Sequence, residues 1–205
     1  MQALLAHPGI WQAARPALAG QSALATGCDA LDQALAGGWP AQGLCELLVE
    51  APGVGEFGLL TPVLCGLQKA ARAAGRPAGI MLINPPYVPY APALLGAGVD
   101  IARVLVTRCR QDRDLFWTME QALRSGACAA AVAWCAAADH RHLRRLQLAA
   151  EAGRCWAALF RPFHFRHQSS PAALRLCLAP APADGLSVEI FKHRGNRPRR
   201  VVVAN

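Results

Sequence analysis

The residues most suggestive of chemistry form the run Glu50-Ala51-Pro52-Gly53-Val54-Gly55-Glu56-Phe57. It follows an apolar stretch and precedes a segment with helical spacing. A strand, a glycine-rich turn and a helix, in that order, are the setting in which backbone amides cradle phosphate groups. A working loop reads G-x-x-x-x-G-K-[ST]; its lysine reaches the outer phosphates and its hydroxyl holds Mg²⁺. Here Gly55 supplies the final glycine, but Glu50 stands at the first glycine position, Glu56 at the lysine and Phe57 at the hydroxyl. Glutamate in place of lysine turns attraction for a polyanion into repulsion. At an effective dielectric of about 20, unit charges about 4 Å apart interact by roughly 4 kcal/mol. Pro52 also removes one amide from the cradle. The loop therefore disfavours nucleotide, and no cofactor is expected.

Other constellations are less specific. His164 and His167 have metal-ligand spacing, but no third ligand is close in sequence, so no metal site is assigned. The eight cysteines are scattered, lack a C-x-x-C pair and sit mostly in apolar segments. They read as small buried hydrophobes in a reducing compartment. The net charge of +8 is uneven, with one basic cluster at Arg141, Arg144 and Arg145. A second comprises Lys192, Arg194, Arg197, Arg199 and Arg200. The first suits a solvated helix face. The second reads equally as a frayed tail or as a surface for nucleic-acid phosphates, which would give affinity with little sequence preference. The segment Pro85-Pro86-Tyr87-Val88-Pro89-Tyr90 is stiffened by proline, and Tyr87 and Tyr90 make it a candidate partner surface. The alternative is that both tyrosines pack over the empty site and fill it.

The elements that position these residues follow from hydrophobic patterning. Over half of the 205 residues are apolar and 17% are charged, which excludes a disordered chain. No apolar run approaches the roughly 18 residues a membrane span needs. No basic segment followed by an apolar block opens the chain, so a cytoplasmic location is expected. Strands are predicted at 44–49, 78–83, 104–107, 128–134 and 156–160. Helices are predicted at 29–35, 58–74, 115–124 and 139–152, with one or two helical turns at 92–97. Thr26 or Asp29 is the expected N-cap of the first helix. Alternating strands and helices predict a mostly parallel sheet covered on both faces. The final strands, 174–178, 186–191 and 200–203, lack intervening helices and predict an antiparallel extension at one edge.

The segment Thr26-Gly27-Cys28-Asp29-Ala30-Leu31-Asp32-Gln33-Ala34-Leu35-Ala36-Gly37-Gly38-Trp39-Pro40 resembles the T-G-x-x-x-L-D-x-x-L-G-G-G-x-P segment of RecA-type recombinases. It leads through Gly43 and Glu46 to the phosphate-loop position, as in that family. The resemblance implies a RecA-like P-loop core at residues 26–205, preceded by an N-terminal arm at 1–25. It also implies a catalytic glutamate just after the second strand, where Asn84-Pro85-Pro86 stands, and a magnesium-associated aspartate where Trp134-Cys135 stands. With Glu56, three functional positions are replaced in register, and the chain is not expected to be an ATPase.

Two bacterial families share this pattern. The stretch from Ile83 to Leu94 and the segment Met119-Glu120-Gln121-Ala122-Leu123-Arg124-Ser125-Gly126 are similar to both the ImuA family and the SulA-type division inhibitors. The long Thr26–Pro40 segment and Val188-Glu189-Ile190-Phe191-Lys192-His193-Arg194-Gly195-Asn196-Arg197-Pro198 look more like ImuA. That resemblance implies a non-catalytic scaffold in SOS-induced mutagenic translesion synthesis, associated with the nucleoid when active. Its implied partners are an ImuB-type polymerase-like protein, a DnaE2-type error-prone polymerase and RecA. Self-association would use residues before Thr26, including Trp11. The SulA-type alternative implies binding to the division protein FtsZ.

Overall fold

The computed structural model describes residues 23–182, 185–193 and 199–203. Two short strands, β1 (Ala23–Leu24) and β2 (Trp39–Pro40), pair antiparallel around helix α1 (Asp29–Ala34). The N-cap of α1 is Cys28, not Thr26 or Asp29. Thr26 is used one step earlier: its hydroxyl accepts the Cys28 amide, while its own amide donates to the Asp32 carboxylate at 2.8 Å. Asp32 thus reaches back across the first turns and fixes the approach of the chain.

The main sheet begins with β3 (Leu44–Val49), followed by a 3₁₀ turn at Gly58–Leu60 and α2 (Thr61–Ala73). Pro62 falls in the first turn of α2, where its missing amide costs nothing. Next come β4 (Gly79–Ile83), α3 (Ala91–Gly96), β5 (Val104–Thr107), α4 (Asp112–Ser125), β6 (Cys128–Trp134), α5 (His140–Ala152) and β7 (Trp156–Pro162). A 3₁₀ segment at Phe163–His167 precedes β8 (Leu174–Pro180), β9 (Leu186–His193) and β10 (Arg199–Val203). The strand order is β10-β9-β8-β3-β7-β6-β4-β5. Among the described residues six strands run parallel, and β9 and β10 complete one edge antiparallel.

The expected antiparallel extension is therefore shorter than the sequence suggests. Strand β8 lies parallel to β3, with Glu46 opposite Arg175. A parallel return needs a crossover of about a dozen residues. Here the 3₁₀ segment and the loop after it span that distance without an α-helix, so the helical signal that marks the other crossovers is missing.

Alternation along the strands divides the core into two layers. Leu47, Leu82, Val132, Phe160 and Leu176 pack with Leu31 of α1, Leu64 of α2 and Leu94 of α3. Leu44, Ile83, Ala133 and Leu159 face Leu115, Met119 and Leu123 of α4 and Leu143 and Leu146 of α5. Each fully buried leucine contributes about 1.5–3 kcal/mol. None of the described helices is long and apolar enough to cross a membrane.

One ionic group interrupts the apolar layer under α5. Glu46, fully buried in β3, meets Arg161 of β7 at 2.5 Å and Arg175 of β8 at 2.7 Å. Arg161 also donates to the Ala138 carbonyl and to the Gln168 side chain, at 2.9 and 2.7 Å. Arg175 donates to the carbonyls of Phe165 and Gln168, at 3.1 and 3.0 Å. Removing the central carboxylate would strand two buried guanidinium groups. Glu46→Ala is expected to cost about 3–5 kcal/mol in urea unfolding, because breaking a buried pair is much costlier than replacing all its members. Converting Glu46, Arg161 and Arg175 together to leucine or methionine should recover much of that loss.

Helix α5 is capped by Asp139, whose carboxylate accepts the His142 amide at 2.7 Å. That bond holds the Asp139 carboxyl below its ordinary range, with the neighbouring His142 and Arg141 acting in the same direction. A depressed folded value adds stability above the unfolded value and loses it as pH falls through the folded value. Between about pH 7 and about pH 2, the melting-temperature gap between the wild-type chain and Asp139→Ala should therefore close.

Candidate functional site at the carboxyl ends of the strands

In open α/β sheets ligands gather at the carboxyl ends of the strands. Here β3, β4, β6 and β7 end around the loop that joins β3 to α2. Gly53 and Gly55 carry positive φ angles of 99° and 87°, which residues with a Cβ rarely adopt. The loop thus has the backbone freedom that an amide cradle requires.

Its anion is supplied from within. Both Glu56 carboxylate oxygens accept the Gly53 amide, at 3.0 and 3.1 Å, and Glu56 is only 4% exposed. The side chain at the lysine position points back into the loop and occupies an amide that a phosphate would otherwise use. A second anion there would meet this carboxylate directly.

The residue after Glu56 and the end of β6 hold aromatic rings. Phe57 contacts Trp134 with ring centroids 5.7 Å apart, and Trp134 stacks on Phe160 at 4.9 Å and 10°. Phe57 of the loop and Trp134 at the β6 terminus thus form a mutually packed pair. The two rings act as one unit in packing terms, since each covers the other. The sequence singles out both residues separately but does not show their contact. Phe160 carried no signal beyond its place in an apolar strand.

After β4, Asn84 adopts a positive φ of 53° and bonds both ways to Cys109: it accepts the amide at 2.6 Å and donates to the carbonyl at 3.1 Å. Asparagine tolerates this left-handed conformation better than most residues. The bonds tie the ends of β4 and β5 and aim the following prolines over the loop. Tyr87 and Tyr90 are 63% and 71% exposed, so they rim the site and do not fill it. Tyr87 lies above Gly53, where an added Cβ would sit 3.6 Å from its ring.

Two pockets open between these parts. One, of about 220 Å³, is lined by the loop glycines, Phe57, Trp134 and the Pro85–Tyr90 segment. The other, of about 200 Å³, lies between Glu50, Pro52, Pro86, Trp134, Cys135 and Arg161. Burial pushes the Cys135 thiol up to about 12, with Arg161 acting in the opposite direction. The thiol therefore stays protonated at neutral pH and is a poor nucleophile.

The other sequence candidates do not converge on this site. His164 packs against Phe165, and His167 accepts from Arg166 at 2.8 Å. Among the described residues no group of three or more histidine, cysteine or acidic side chains could hold a metal. In the C-terminal basic cluster, Lys192 donates to the Ser170 carbonyl at 2.6 Å. Arg200 pairs across the strands with Glu189 at 3.2 Å, and Arg199 is exposed beside it on β10. Arg194, Arg197 and Trp11 lie outside the described residues. In the middle cluster, Arg145 bonds Glu120 of α4 while Arg141 and Arg144 are exposed, as a solvated helix face requires.

No family model matches the chain. The chain is similar to Protein ImuA of Caulobacter vibrioides. It is 34% identical over 129 residues to the protein of strain NA1000 / CB15N, covering 53% of each chain. The match to Protein ImuA of strain ATCC 19089 / CIP 103742 / CB 15 has the same identity and coverage. The chain spans about half the length of the curated relatives it matches.

Two outcomes test the site's internal bonding. Glu56→Ala should destabilise the chain by about 1–3 kcal/mol, since it leaves the Gly53 amide without its acceptor. Faster hydrogen exchange at Gly53 would locate the effect. A double-mutant cycle over Phe57→Leu and Trp134→Leu should give a coupling of about 0.5–1.5 kcal/mol, the value of a packed ring pair.

Proposed function

We propose that the chain is a non-catalytic accessory protein of SOS-induced mutagenic translesion synthesis, with a RecA-like core whose nucleotide position serves as a contact surface. The observation that carries this reading is the Glu56 carboxylate held by the Gly53 amide. A loop that satisfies its own amide with an acid has no use for a phosphate. The core reading is supported by the strand–loop–helix order from β3 to α2 and by the central place of β3 in a mostly parallel sheet. The similarity to Protein ImuA supports the biological setting.

In this reading the protein acts by binding. The exposed Tyr87 and Tyr90 form the contact surface, and the partners are an ImuB-type polymerase-like protein and a DnaE2-type error-prone polymerase, with RecA as a third. DNA phosphates would be met by the basic C-terminal segment, where Arg199 and Arg200 are exposed. Such binding should weaken as salt rises.

Two measurements test the proposal. Mg-ATP should leave the melting temperature unchanged; a ligand at about 100 times its Kd would stabilise the fold by about 2.7 kcal/mol, so a clear rise overturns the reading. In pull-downs the chain should capture the ImuB-type protein and not FtsZ. Capture of FtsZ alone would replace the mutagenesis reading with division inhibition.

A further inference from the structure

The two pockets at the loop share Pro86 and Trp134 as walls, so they form one groove. Its shape and charge restrict what can lie in it. The groove is two shallow compartments of about 200 and about 220 Å³, each of a size for a single large side chain. The floor is Trp134 stacked on Phe160. Pro52, Pro85, Pro86 and Pro89 form stiff walls, with little freedom to lose when the groove is filled. Tyr87 and Tyr90 overhang one end with most of their surface uncovered.

Three charged residues line the groove: Glu50, Glu56 and Arg161. Glu56 is taken by the Gly53 amide. Arg161 is taken by Glu46, the Ala138 carbonyl and Gln168. Glu50, exposed just past the end of β3, has no such engagement among the described contacts. The groove therefore presents a net negative charge on a chain whose overall charge is +8. Phosphates are repelled from it, and a cationic side chain is drawn in.

We propose that the groove receives an extended segment of a partner protein, in which an apolar or proline anchor enters the aromatic pocket and an adjacent lysine or arginine pairs with Glu50. Aromatic walls with a rim carboxylate suit a preformed extended chain, whose side chains occupy successive pockets. The proposal rests on the reading of the Tyr87 and Tyr90 loop as a partner surface, and specifies the chemistry of its ligand.

The test titrates the full, isotope-labelled chain with the acetylated peptide Pro-Pro-Leu-Pro-Arg and its Pro-Pro-Leu-Pro-Glu counterpart, following amide shifts. The arginine peptide should bind saturably with a Kd below about 1 mM and move amides in residues 50–57 and 86–90. The glutamate peptide should bind about fivefold more weakly, and Glu50→Lys should reverse the preference. Lack of saturable binding, shifts outside those segments, or a preference unchanged by Glu50→Lys would overturn the proposal. The double variant Tyr87→Ala, Tyr90→Ala changes exposed side chains only and should abolish peptide binding. Suppose that variant fails to support damage-induced mutagenesis while the wild-type chain ignores both peptides. The partner-surface reading would then stand and the ligand chemistry proposed here would fall.

Discussion

A carboxylate at the centre of the sheet sets the arrangement of much of this fold. Glu46 sits in β3, the strand flanked by β7 on one side and β8 on the other, and it holds an arginine from each. Buried ion pairs seldom add net stability, because desolvation offsets the attraction. Their effect here is to define position. The carboxylate serves both guanidinium groups at once in the register that the backbone ladders of the three parallel strands adopt. The arginines extend the constraint outward. Arg175 gathers the carbonyls of the crossover before β8, and Arg161 gathers the loop between β6 and α5. Their faces also lie over aromatic rings, Arg161 over Phe165 at 4.3 Å and Arg175 over Phe191 at 4.5 Å.

This polar knot lies directly beneath the candidate site. Arg161 belongs both to the knot and to the wall of one pocket. Gln147 completes the polar layer at the start of β3, accepting the amides of Leu44 and Ala173 at 2.8 and 3.1 Å. The loop after β3 therefore projects from a strand held at its start by Gln147 and near its middle by Glu46. A groove on such a base can have rigid walls even though its rim is built from loops.

Much of the frame was legible in the sequence, for a physical reason that varies by element. Strands β3 and β6 are short apolar runs bounded by turn residues, and their limits at 44–49 and 128–134 are those read from the pattern. Strand β8 was legible as a strand but not in its direction, because its crossover uses a 3₁₀ segment with no helical period. The Glu46 group was not legible. Arg161 and Arg175 sit in apolar stretches, which is a hint, but only the folded sheet shows that one acid lies between them. At the site the candidate residues Glu56, Phe57 and Trp134 stand out in the sequence one by one. The inward turn of Glu56 and the contact between the rings depend on three-dimensional proximity that spacing does not encode.

The ring contact between Phe57 and Trp134 also limits how this surface can evolve. A hydroxyl at position 57 alone would leave Trp134 facing a void. An acid at position 134 alone would place a carboxylate against two phenyl rings. Each single step towards a metal-holding pair passes through a less stable protein. The pair therefore works as a ratchet: surfaces that preserve the rings can diversify freely, while any polar pair at these two positions requires coordinated change.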